Sequence, residues 1–211
     1  MKRSGWILGV SLVGLGVVIA APASHASHDV NFGVNTPLGN DGSLFFSISS
    51  QYFDRDARMV NTWGRRFTNP DDLAVFLQIC AHSNRPPEVV YSYRRQGMTW
   101  YDVGIRSGVP LESWYVVVQG TPQGRYARPY DHWNRYQQDP RHAVKFTDRE
   151  ARDLVAVRMA HEYYGVTPAV AMNWRKGGAS MKTIMTREYR VRHGEDRRGD
   201  HDQRGRDHHQ K

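Results

Sequence analysis

The sequence predicts a mainly α-helical protein: duplicated helical units of helix-turn-helix type, a small N-terminal β-hairpin and a disordered C-terminal tail. Three observations predict it. From residue 69 onward, apolar residues recur at the spacing of one helix face. A shift of 81 residues lays one series of helix openers and stops on a second. Residues 192–211, finally, hold almost no apolar side chains.

Residues 1–26 read as an export signal. Lys2 and Arg3 give a basic start, Trp6 to Ala21 is uncharged and largely apolar, and Ser24-His25-Ala26 offers small residues where a signal peptidase reads. The apolar run is short for a spanning helix, which needs about 20 residues, and no comparable run follows. The expected location is therefore periplasmic or extracellular, with no membrane span after cleavage. Cys80 is the only cysteine, so no intramolecular disulfide can form and stability rests on packing. Its spacing from Leu73, Phe76 and Leu77 places it on a buried helix face rather than in a nucleophile's setting.

In residues 27–60, Val30, Phe32 and Val34 alternate with polar or glycine positions, as do Leu44, Phe46 and Ile48. Asn40-Asp41-Gly42 between them is turn chemistry, so a β-hairpin and a connecting segment are expected. Residues 61–118 form the first helical unit. Asn69 can cap a helix that Pro70, Asp71 and Asp72 open. Asn84-Arg85-Pro86 breaks it, Pro87 opens a second helix that Gly97 stops, and Thr99 caps a third that ends at Gly108.

Residues 147–191 repeat the pattern. At the same shift Asp72-Leu73 falls on Asp153-Leu154, Pro87 on Pro168, Arg94 on Arg175, Gly97 on Gly178 and Thr99 on Ser180. The matches are structural punctuation, which is what a duplication preserves. Both glycines should close helices with positive φ.

The phrase Arg94-Arg95-Gln96-Gly97-Met98-Thr99-Trp100 resembles the turn of bacterial helix-turn-helix domains. The likeness implies architecture, two short helices about a glycine. Nucleic acid is not an expected partner, because an exported protein does not meet DNA.

The joining segment, residues 119–146, interleaves cations with aromatics: Arg125, Tyr126, Arg128, Tyr130, Trp133, Arg135 and Tyr136. Rings can stack on sugars while guanidinium groups pair with carboxylates or phosphates. These seven are the candidate ligand-binding residues, the ligand being an anionic glycan or other polyanion of the envelope. The formal charge of +8 overstates the mature surface, because Lys2 and Arg3 leave with the signal and the tail has its own basic excess. The modest excess that remains suits such a partner and is also ordinary for many proteins. In the tail, His201, His208 and His209 are candidate metal ligands, without fixed geometry.

No catalytic constellation stands out. His161-Glu162 lacks the second histidine one turn on that a zincin needs, since position 165 is glycine. No phosphate-binding loop or nucleophile elbow occurs, and no cofactor is implied. The sequence therefore favours a non-enzymatic binding or assembly protein. The alternatives are a glycan-active enzyme with its cleft between the units, using carboxylates such as Asp102 or Glu112, and metal handling through the tail.

Overall fold

A computed structural model describes residues 41–194, and all secondary structure in them is helical. Nine α-helices follow in order: α1 (Asp41–Tyr52), α2 (Ala57–Gly64), α3 (Pro70–His82), α4 (Pro87–Arg95), α5 (Trp100–Ser107), α6 (Ala127–Gln138), α7 (Asp148–Tyr164), α8 (Pro168–Lys176) and α9 (Met181–His193). Short 3₁₀ turns cover Leu111–Trp114 and Gly124–Tyr126. None of the described helices is long and apolar enough to cross a membrane.

The centre is α3 against α7. In α3 every residue from Leu73 to Cys80 is buried, so it is apolar nearly all round, as a core helix must be. Buried residues of α7 from Ala151 to Ala160 face it. Around this pair, α4 and α5 close over α3, α8 over α7, and α1 lies against α2 and α9.

The helix limits follow from local chemistry. Asn69 accepts from the Asp71 amide, Thr99 from the Asp102 amide and Ser180 from the Thr183 amide. Thr147 and Glu150 form a full capping box at the start of α7. Gly97 and Gly178 carry φ of 83° and 81° just past the ends of α4 and α8, a conformation a side chain would strain.

The expected hairpin is corrected here. Leu44, Phe46 and Ile48 lie in α1 rather than in a strand. The i, i+2, i+4 pattern also contains an i, i+4 pair, and Phe45 and Ser49 beside it are equally buried. Such a broad stripe is helical, and Asp41 stands in the first turn, as a helix N-terminus prefers. Its carboxylate pairs with Arg190 of α9 at 2.7 Å. The other half of the hairpin, Val30 to Val34, and the signal segment lie outside the described residues. So does the tail from residue 195, although Arg192 and His193 belong to α9. Two helices went unforeseen: α2, capped by Asp56, and α6, in the segment read as a linker.

Charge joins the two three-helix runs crosswise. Asp148 of α7 accepts from Arg94 (2.6 Å) and from the Trp100 amide at the start of α5 (2.7 Å). Asp71 of α3 does the reciprocal: it accepts from Arg175 (2.7 Å) and from the Met181 amide at the start of α9 (2.7 Å). Arg94 also donates to the Met98 carbonyl, as Arg175 does to that of Ala179. Asp153 accepts from the other two Arg175 nitrogens, Nη2 at 2.6 Å and Nε at 3.1 Å, and Asp72 takes Arg152 at 2.7 Å.

Candidate functional site

The aromatic-basic segment separates into a packed part and a lining part. Tyr126 and Tyr130 are 3 % and 2 % exposed, so neither ring can stack on a ligand. Tyr130 donates to the Val116 carbonyl at 3.2 Å, and burial pushes its phenol up to about 12. Trp133 lies flat on Tyr115, centroids 4.7 Å apart, and Tyr136 stacks in turn on Trp133 at 5.6 Å. These rings pin α6 to the core. Arg128 holds both oxygens of Glu150. Burial works against the Glu150 carboxylate, yet Thr147 and Arg128 together keep it below its usual range. Arg135 pairs with Asp131 one turn back on the same helix. The seven residues therefore do not form one surface. Only Arg125 and Tyr126 reach the cleft described next, and the three tail histidines lie outside the described residues.

That cleft, of about 820 Å³, lies between the 117–126 segment, the first turn of α7 and one face of α8. Four residues of α8 at helical spacing, Ala169, Met172, Asn173 and Lys176, form one wall; the opposite side of that helix buries Ala171 and Arg175. Val117, Val118 and Pro122 form the other, with Gln119, Thr121 and Gln123 between them. Arg125, Arg149 and Lys176 supply positive charge, and no carboxylate is among the described lining residues. Arg125 is partly neutralised, since it donates to Asp153 and to the Arg175 carbonyl. Arg149 and Lys176 are exposed and have no ion-pair partner among the described residues.

Such a lining can do two things. Its cations attract an anion from solution, and its amides and hydroxyls can exchange hydrogen bonds with a polar chain. Arg149 was the legible signal that sequence reasoning missed. A cation in the first turn of a helix opposes the macrodipole, which sets Arg149 apart from Asp148 and Glu150 beside it. The α8 face was not legible, because Ala169, Met172, Asn173 and Lys176 show no apolar pattern.

Of the other candidates, Glu112 is exposed, while Glu162, His161 and Asp102 are satisfied structurally. Glu162 accepts from Tyr52 and pairs with Arg158 at 2.9 Å. His161 Nδ1 lies 2.6 Å from the Val166 carbonyl, at the end of α7. Asp102 bonds to Thr99 within its own helix cap. Among the described residues, no group of three or more His, Cys, Asp or Glu is placed to hold a metal ion.

Burial pushes the Cys80 thiol up to about 12, Arg55 opposing only in part. The native protein should therefore resist iodoacetamide at pH 8 and react once unfolded, because the thiolate is the nucleophile. Mass spectrometry with and without denaturant checks this; rapid native labelling would show an activated thiol. Compared with known proteins, the chain matches no family model, no curated protein and no solved structure.

Proposed function

We propose that the chain is an exported, non-enzymatic binding protein whose body is a duplicated three-helix unit presenting a basic cleft to an anionic polymer of the cell envelope. One observation carries the reading: Arg125, Arg149 and Lys176 line the cleft with amide and hydroxyl side chains and without a described carboxylate. Glycan hydrolysis needs two carboxylates flanking the bond to be cut, and this lining favours binding over that chemistry. The duplication is supported by α4 and α8, each of nine residues and opened by proline, and by Arg94 and Arg175, which match in register and each donate to the carbonyl four residues on.

The reading is tested by charge reversal. Arg149→Glu with Lys176→Glu should abolish salt-sensitive retention of the protein on polyglutamate and polygalacturonate beads. Reversing Arg58 and Arg85, exposed cations elsewhere on the surface, changes the net charge equally and should leave most retention intact. Equal loss in both variants would mean diffuse attraction between a basic protein and any polyanion, and the cleft would not be a site.

A further inference from the structure

We infer that the occupant of the cleft is an extended, acidic polypeptide segment that pairs with the backbone of residues 117–119, which has no hydrogen-bond partner among the described residues. This names the partner for the anionic-polymer reading and rests on it.

The argument begins with the wall opposite α8. The chain leaves the 3₁₀ turn at Trp114 in extended conformation, with Tyr115 at φ −108° and ψ 148°. Burial then alternates with a period of two, as in a strand: Val116 is buried, Val117 is 94 % exposed, Val118 is half-buried and Gln119 is exposed. Up to Val116 the carbonyls are used, that of Tyr115 by Arg158 and that of Val116 by Tyr130. Beyond it, the amides and carbonyls of Val117, Val118 and Gln119 have no hydrogen-bond partner among the described residues.

An extended segment whose backbone groups have no partner among the described residues is a template for another chain, and proteins usually blunt such edges with lysine, proline or a covering element. Here no lysine stands on the edge, Pro122 comes only after it, and Val117 offers its whole side chain to whatever lies beside it. A polypeptide supplies amide and carbonyl groups at the same repeat as this edge, which a polysaccharide does not. The incoming side chains would be acidic by charge complementarity, because Arg149 and Lys176 line the cleft without ion-pair partners among the described residues.

The test uses the full chain and fluorescence anisotropy with three probes: a labelled, end-capped decapeptide of alternating Glu and Val, the same peptide N-methylated at four successive central amides, and a size-matched labelled oligogalacturonate. The parent peptide should bind in a salt-sensitive way, and N-methylation should weaken it by about tenfold or more, since it removes the donors that strand addition uses. Arg149→Glu with Lys176→Glu, verified as folded by its melting curve, should weaken the parent peptide comparably. Equal binding of the N-methylated and parent peptides would overturn the pairing. Binding of the oligogalacturonate but not the peptide would overturn the polypeptide and leave the anionic-polymer reading standing. If no probe binds, both fall.

Discussion

Asp71→Ala is expected to destabilise the protein by about 3–5 kcal/mol, the cost of removing one partner from a buried ion pair. The side chains of Asp71 and Arg175 are only 6 % and 7 % exposed, and their closest approach is 2.7 Å. Without Asp71, Arg175 and Arg125 share the single carboxylate of Asp153, leaving an uncompensated positive charge in a mostly buried site. The Met181 amide also loses the acceptor that caps α9. At roughly 2–4 °C per kcal/mol for a chain of this size, the melting temperature should fall by roughly 6–20 °C. The pairing of Asp71→Leu with Arg175→Met should be less damaging than Asp71→Ala, because it removes one charge of each sign and leaves Asp153 with Arg125. An unchanged melting temperature in Asp71→Ala would mean that water screens the network.

Trp100→Ala should cost about 3–5 kcal/mol, as for other large aromatic side chains cut from a core. The indole is fully buried, and the Arg94 guanidinium lies over it, 4.6 Å from the ring centroid. Its Nε1 donates to Asp72 Oδ1 at 2.6 Å, the same oxygen that receives Arg152. Trp100→Phe isolates the polar part: most of the apolar bulk stays while the bond to a carboxylate goes, so a loss of about 1.5–3 kcal/mol is expected. Urea midpoints at constant slope measure both changes. If Phe proved as damaging as Ala, the hydrogen bond rather than the ring's bulk would dominate at this position.

How much of this was legible can be judged from single residues. Asn69, Thr99, Ser180, Gly97 and Gly178 act within three or four residues of themselves, so their roles as caps and stops could be read directly. Leu44 to Ile48 could not, because five residues satisfy both a strand and a helix pattern and only the packing of α1 on α2 and α9 decides. α6 was hidden by its composition: Pro129 and a run of arginines and tyrosines resemble a loop, yet its rings dock on Tyr115. For the candidate site, the sequence drew attention to residues 119–146, of which Arg125 and Tyr126 line the cleft while the other rings pack on the core. Alternating rings and cations do not state which side chains turn inward, and Tyr126 and Tyr130 did. The cleft joins three stretches distant in sequence, and only Arg149, standing against its helix dipole, announced itself locally.

The crosswise aspartates also set an order in time. Asp71 meets Arg175 across 104 residues and the Met181 amide across 110. A chain that emerges N-terminus first therefore holds α3 without its ion-pair partner until α8 has been made, and without its capping duty until α9 follows. Closing so long a loop costs entropy before any contact rewards it, so these two crosswise contacts are expected to form late, after the local packing of α3 with α4 and α5.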